Sequence, residues 1–359
     1  MQQKALRIGV VGLGRIGWDF HCATLSKNPA FILAGVADTV PERCREAEAT
    51  YDCRAFADYR RLLDEVDLDV LTIASPTHLH RAMAEAALER GLHVLLEKPM
   101  ALNVRQAQAI VKTARRCNKL VTVYQPHRTA AYFQQLRRVI NSGIIGEIYH
   151  VRRGVFSFSQ RNDWQSLRRF GGGMLANFGA HAMDQVLQLI GYDVDRLFCR
   201  IGRVASVGDA EDVVKIVIQT RKGLLGEVDI SQACVQQLYE LEVIGTTGVI
   251  SLHGQELHVR SFNVSQLPAQ QLNRSLASAR REYPAGGVAC KDQIIPIEKR
   301  YAIDVYKDFA EAIRKHKQPL VKAEEAVALT GLLDRCRTYS RRIIATPIRP
   351  IKRKKRSSP

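Results

Sequence analysis

The chain of 359 residues predicts a two-domain α/β protein: an N-terminal doubly wound parallel sheet, followed by a C-terminal α+β domain with a large, mostly antiparallel open sheet. Three observations carry that expectation. The apolar run over 5–11 breaks into glycines at 12, 14 and 17, and Ile16, Phe20 and Ala23 follow at helical spacing. Extended apolar runs then alternate with helical segments as far as residue 125, a rhythm that means parallel pairing through right-handed crossovers. Beyond that point the apolar period shifts to two, as in antiparallel strands with one wetter face.

Gly12, Gly14 and Gly17 stand as G-x-G-x-x-G. In that spacing the first glycine makes a tight turn, the second lets the backbone approach a pyrophosphate, and the third lets the next helix pack closely on its strand. A phosphate there meets N–H groups at a helix N-terminus, with Arg15 and Ile16 inside the turn. A second strand over 31–37 ends in Asp38, 21 residues beyond Gly17. A carboxylate at that distance accepts hydrogen bonds from the adenosine ribose and repels a 2′-phosphate, which favours NAD over NADP. The competing reading makes Asp38 the cap of a helix begun by Pro41. Helices are expected over 41–50 and 58–64, and a buried strand over 69–74. Ser75-Pro76 opens a helix, with serine as cap and proline in the first turn, that runs to Arg90 and stops at Gly91. A strand over 93–97, a helix over 104–117 and a strand over 120–124 complete the first domain, residues 1–125.

The second domain, residues 126–340, opens with a helix over 130–141. Val214, Ile216 and Ile218 alternate with Lys215 and Gln219, although Val217 interrupts the polar face; Tyr239, Leu241 and Val243 alternate with Glu240 and Glu242. Arg221-Lys222-Gly223 and Thr246-Thr247-Gly248 read as hairpin turns. Residues 262–298 show no clean period and carry Pro, Gly, Ser and Asn, as a long excursion or lid would. Tyr306, Phe309 and Ile313 mark one amphipathic helix, and Ala326, Leu329, Leu333 and Cys336 another.

Composition narrows the classes of function. Apolar residues make up 46% and charged residues 25%, with no membrane-length apolar run and no hydrophobic signal segment at the N-terminus, so a cytoplasmic protein without membrane partners is expected. The eight cysteines are scattered without a C-x-x-C pair, which suits reduced, structural thiols. His78 and His80 follow a helix start rather than lying on a strand, and no metal site is expected. The net charge of +17 raises the question of nucleic acid, but eight basic residues and no acid lie in 341–359. That segment reads as a basic, disordered tail, and nucleic acid is not the expected partner.

Two stretches can do chemistry. The strand over 93–97 ends in Glu97-Lys98-Pro99, which places a lysine at the carboxyl edge of the parallel sheet, where ligands bind. A lysine there can hold a hydroxyl or carbonyl oxygen and, once desolvated, carry a proton; by itself it could equally be a surface residue. The second stretch runs from Gly171 to Asp184. A helix over 174–190 puts Asn177, His181 and Asp184 on one face among apolar residues, where the histidine is either satisfied by a structural partner or held for acid/base work.

Taken together, Gly12 to Gly17, Asp38, Ser75-Pro76-Thr77 with His80, Glu97-Lys98-Pro99, Arg128, residues 143–149, the 171–184 cluster and Ile244-Gly-Thr-Thr-Gly248 resemble the Gfo/Idh/MocA oxidoreductases over almost the whole chain. The resemblance implies an N-terminal Rossmann domain and hydride transfer between NAD(H) and a secondary alcohol of a sugar, sugar derivative or cyclitol. It implies Lys98 and His181 as the pair flanking the reacting carbon. The family often has aspartate four residues before that histidine, and this chain has Asn177. The expected cofactor set is Gly12, Gly14, Arg15, Ile16, Gly17, Asp38, Ser75, Thr77, His80, Glu97, Lys98 and Gln125. Arg128, Arg161, Asp163, Trp164 and Asp184 are expected on the substrate side, with arginine suited to a carboxylate or phosphate. The resemblance further implies a homo-oligomer built through the open sheet. It leaves two rival classes, an NAD-dependent glycosidase of the same fold and a non-catalytic NAD-binding transcriptional regulator.

Overall fold

The computed structural model describes residues 4–269, 274 and 287–340, and the backbone of 344 and 345. Its first layer comes from the alternation in the sequence. β1 (Leu6–Val11) leads through the glycine turn into a helical turn of π form (Gly17–Cys22), continued by α1 (Ala23–Leu25). Then come β2 (Phe31–Ala37), α2 (Pro41–Tyr51), β3 (Arg54–Phe56), α3 (Tyr59–Glu65) and β4 (Val70–Ile73). A 3₁₀ turn (Thr77–Leu79) runs into α4 (His80–Glu89), followed by β5 (His93–Leu96), α5 (Val104–Arg116) and β6 (Val121–Val123). All strand pairs are parallel, in the order β3-β2-β1-β4-β5-β6. Helices cover both faces, so β4 is buried at every residue and reads as a continuous apolar run rather than an alternating one. The order reverses between β1 and β4, which opens a crevice at their carboxyl ends.

The second layer begins with α6 (Pro126–Thr129) and α7 (Ala131–Asn141), then β7 (Ile148–Phe156), α8 (Met174–Ile190), β8 (Val194–Arg203), β9 (Val213–Thr220) and β10 (Leu225–Ser231). β11 (Leu241–Gly245), β12 (Gly248–His253), β13 (Glu256–Ser261) and β14 (Lys291–Pro296) extend it, and α9 (Val305–Arg314), α10 (Ala323–Tyr339) and β15 (Ile344–Ala345) close the chain. The nine strands lie in the order β14-β13-β12-β11-β7-β10-β9-β8-β15, antiparallel except at β7/β10 and β8/β15. Val214, Ile216 and Ile218 of β9 and Val228 and Ile230 of β10 point to one side, where they pack against Leu175, Val186 and Leu187 of α8. That period of two against a period of 3.6 makes a single apolar interface.

Several local expectations are corrected. Asp38 does not cap α2: Val40 occupies the cap position, and the Asp38 carboxylate instead takes the N–H of Leu13 at 2.7 Å and of Val40 at 2.9 Å. Ser75 caps nothing either; the helix starts one residue later as a 3₁₀ turn, and the Ser75 hydroxyl donates to Met83 Sδ at 3.3 Å. The 262–298 stretch is no uninterrupted excursion, because it ends in β14, which pairs along its full length with β13; residues 270–273 and 275–286 of it lie outside the described residues. Most of 341–359 lies outside them too, but Ile344 and Ala345 add a short parallel strand to β8. The two helices after residue 300 join different cores. Tyr306, Phe309 and Ile313 of α9 complete the core of the first sheet, beside Ile8, Val10 and Phe31, and α10 packs against both layers.

Candidate active site

A groove of about 780 Å³ runs along the carboxyl edge of the parallel sheet. Gly12, Gly14, Arg15 and Ile16 form its floor, Asp38 and Ser75 its walls, and Arg161, Asp163 and Trp164 reach over it from the second layer. The three glycines do different work. Gly12 has φ of +92°, a conformation L side chains rarely adopt. A Cβ on Gly17 would stand 1.8 Å from the carbonyl oxygen of Gly12, so only glycine lets the helix come this close. A Cβ on Gly14 would meet nothing within 4 Å, and the space it leaves faces the groove. A cradle that a side chain could fill without protein contact fits a pyrophosphate approaching the backbone. Arg43 lines the same groove 3.3 Å from Asp38 Oδ2, so a cation and an anion share that end of it.

The strand end and helix α8 meet beside this groove. Lys98 Nζ donates to Asn177 Oδ1 at 2.9 Å and to the Asn177 carbonyl at 3.2 Å. Burial lowers the Lys98 pKa, Glu97 opposes that shift, and Arg15 and Arg161 add to it. Glu97, itself buried, accepts from His21 Nε2 at 3.1 Å and from the Lys98 N–H at 3.1 Å. Burial pushes its carboxyl up, but His21 and Lys98 more than offset this and leave it below the usual range. His21 is in turn bonded through Nδ1 to the hydroxyl of Tyr306, so α9 anchors the floor of the site.

One turn along α8, His181 Nδ1 lies 2.9 Å from Gln125 Oε1. An amide oxygen only accepts, so Nδ1 carries the proton and Nε2 keeps its lone pair. Burial, then the charges of Lys98, His127 and Arg153, hold the His181 pKa well below the ordinary histidine value. The imidazole is therefore neutral near pH 7 and able to accept a proton.

The expected site residues separate into groups. Gly12, Gly14, Arg15, Ile16, Asp38, Ser75, Arg161, Asp163 and Trp164 line the groove, and Thr77 and Lys98 line a smaller cavity shared with Trp164 and Asn177. Gly17 sits behind the floor as a packing glycine. His80, expected on the cofactor, is buried between two groove loops, with one ring nitrogen 2.9 Å from the Ser75 carbonyl and the other 3.1 Å from that of Pro99, so its single N–H ties it to one of them. Glu97 and Gln125 likewise stand behind Lys98 and His181 rather than open to the groove. Arg128 and Asp184 differ most from expectation, for both are about 1% exposed and bonded to each other, with Arg128 Nε 3.0 Å from Asp184 Oδ2. Burial alone would depress the Arg128 guanidinium, but Asp184 and Glu325 more than offset this and keep it charged. A guanidinium already satisfied in this way has no free fork for a substrate anion.

Sequence reading missed the residues that act through others. His21, Gln165, His127, Gln185 and Arg153 all touch this cluster: Gln165 Oε1 accepts from Asn177 Nδ2 at 3.0 Å, and the His127 ring lies 4.5 Å from that of His181. Arg153 Nε donates to Gln185 Oε1 at 3.0 Å. No spacing rule joins these positions, which come from five separate elements. Among the described residues no group of three or more His, Cys, Asp or Glu side chains could hold a metal, and no helix is long and apolar enough to cross a membrane.

Fold and groove together define an NAD-binding Rossmann protein with a second, mostly antiparallel domain. Residues 6–125 match the model of the Gfo/Idh/MocA oxidoreductase family's NAD-binding Rossmann domain, and residues 133–251 match a C-terminal domain of the same family. The chain belongs to the Gfo/Idh/MocA oxidoreductases. It is 25% identical over 252 residues to a myo-inositol 2-dehydrogenase of Thermotoga maritima, covering 68% of this chain and 74% of that one. It is 26% identical over 318 residues to a UDP-N-acetylglucosamine 3-dehydrogenase of Acidithiobacillus ferrooxidans, covering 87% and 90%. The crystal structure of an NAD-binding protein from Listeria innocua shares the fold, with a TM-score of 0.81 at 24% identity over 94% of this chain and 95% of that one.

Proposed function

We propose that the protein is a dehydrogenase that moves hydride between NAD(H) and a secondary alcohol of a sugar, sugar derivative or cyclitol. One observation carries the reading: beside the dinucleotide groove, α8 presents a neutral, Gln125-held His181 one turn from Asn177, which anchors a desolvated Lys98 lining the small cavity there. NAD, when bound, supplies the hydride acceptor. His181 Nε2 takes the hydroxyl proton of the substrate, and Gln125 keeps the ring turned so that this nitrogen carries the lone pair. Lys98 Nζ, anchored on Asn177 by two bonds, has a third N–H left for the substrate oxygen and stabilises charge that develops on it. Arg161 and Trp164 line the groove from the second layer.

Two finer features belong to the same proposal. NAD is preferred to NADP, because the Asp38 carboxylate would meet the ribose hydroxyls, repel a 2′-phosphate and occupy Arg43, a groove cation that could otherwise pair with one. Homo-oligomers form through the open face of the large sheet, and the eight free thiols suit a cytoplasmic setting. A panel of sugars, sugar acids and cyclitols incubated with NAD and followed at the NADH absorbance tests the central claim. At least one is expected to give steady NADH release that His181→Ala abolishes; a panel with no NADH release, or free sugar released from glycosides without it, overturns the dehydrogenase reading.

A further inference from the structure

We propose that Gln165 is the residue that positions Lys98, acting through Asn177. The two ends of the Asn177 amide are unlike: Oδ1 accepts from Lys98 Nζ at 2.9 Å, and Nδ2 donates to Gln165 Oε1 at 3.0 Å. An ammonium has only donors, so a flipped amide would set donors against donors and leave Lys98 without its side-chain acceptor. The carbonyl end of Gln165 prevents that flip, because it holds Nδ2 on the side away from the lysine.

The place of Gln165 is built by the backbone around it. Its N–H donates to Asp163 Oδ1 at 3.1 Å, and its carbonyl accepts the Gly173 N–H at 2.8 Å. A Cβ on Gly172 would stand 2.4 Å from that carbonyl, and one on Gly208 would stand 2.0 Å from the carbonyl of Ser166. Only glycine at these positions lets the 3₁₀ turn Trp164–Ser166 lie against the start of α8. Gln165 also lines both the dinucleotide groove and the small cavity beside Lys98. The chain Gln165, Asn177, Lys98 thus reaches from the groove to the lysine.

This inference deepens the dehydrogenase reading and rests on it for the role of Lys98, but the positioning itself is measurable without a substrate. Glu97, Arg15 and Arg161 are the charged groups acting on Lys98, and His181 and His127 are the titratable groups beside it; none of them is altered by substitution at Gln165. The test follows acetylation of the Lys98 amine by acetic anhydride across pH, read by peptide mass spectrometry, in the full chain, Gln165→Leu and Gln165→Glu. Gln165→Leu removes the acceptor, so Lys98 titrates at lower pH; Gln165→Glu keeps an acceptor and adds negative charge, so Lys98 titrates at or above its original pH. In turnover with NAD, Gln165→Leu is expected to lose about ten- to hundredfold in kcat with KM for NAD changed far less, and Gln165→Glu to recover most of the kcat. An unchanged Lys98 titration in both variants, or equal loss in both, overturns the proposal and leaves Gln165 as a packing residue of the turn. Shifted titration without turnover of any sugar overturns the dehydrogenase reading instead.

Discussion

At the residue scale, a few side chains divide the labour. Asp38 had two readings in sequence, cap or ribose ligand, and the structure excludes the cap while tying the carboxylate to the Leu13 N–H of the glycine turn. Asp38→Ser should therefore free Arg43 and shift the ratio of NADPH to NADH binding toward NADPH, a change that fluorescence titration of both cofactors would detect; an unchanged ratio would show that cofactor choice lies elsewhere. His181→Ala and Lys98→Ala should each cut turnover by at least about a hundredfold on any accepted substrate. Asn177→Asp puts a carboxylate against Lys98 and near His181, so the lower apparent pKa of the turnover profile should rise with activity preserved. His127 offers a test of stability. Burial, then Arg153 and Lys98, depress its pKa to about 4, whereas in the unfolded chain it titrates near the ordinary histidine value of 6.5. Between those limits the unfolded state binds more protons, so the histidine costs nothing above about pH 6.5 and increasingly destabilises the fold as pH falls toward 4. His127→Phe should give a shallower acid limb in melting temperature against pH over that window.

At the scale of elements, the glycine turn shows how much one motif can specify. G-x-G-x-x-G after an apolar run was legible because each glycine answers a local steric need: a positive φ at Gly12, an open face at Gly14, a close helix at Gly17. The needs differ, and so should the consequences of replacing each. Gly17→Ala puts a methyl group 1.8 Å from a carbonyl oxygen and should lower both melting temperature and NADH affinity. Gly14→Ala meets nothing in the protein and should leave the melting temperature within a degree or two while weakening NADH. Equal effects on melting would refute the division. The helix Met174–Ile190 was legible to the residue, since its apolar stripe and the glycines before it mark the start. The π form of Gly17–Cys22 was not, nor was the reach of its His21 to Glu97 and Tyr306 inside the core, since both partners are distant in the chain.

At the scale of the whole molecule, two sheets stand side by side and the last helices stitch them together. α9 returns to the first core with Tyr306, Phe309 and Ile313, and α10 bridges the two layers. The open face of the large sheet carries ion pairs such as Lys215 with Asp229 at 2.8 Å and Arg152 with Glu242 at 2.7 Å, set around the partly exposed Val217. If this face joins protomers, Val217→Asp should reduce the mass measured by light scattering to that of a monomer of 40.3 kDa while cofactor binding persists. A monomer in the unmodified protein would remove the oligomer from the proposal.

The sequence by itself determined whatever depends on neighbours along the chain. Strand and helix periods, the glycine turn, the carboxylate after β2 and the lysine at the end of β5 are local patterns, and local sterics and hydrophobic spacing are enough to read them. Tertiary structure alone decided which charges are free. Arg128 and Asp184 lie 56 positions apart, His21 and Tyr306 285 apart, and only folding shows that they cancel or anchor each other rather than face a ligand. The same holds for the pairing of Gln165 with Asn177 and of Gln125 with His181, whose hydrogen bonds set orientation and protonation. A buried polar group must find a partner, and no spacing along the chain records which partner the fold brings to it.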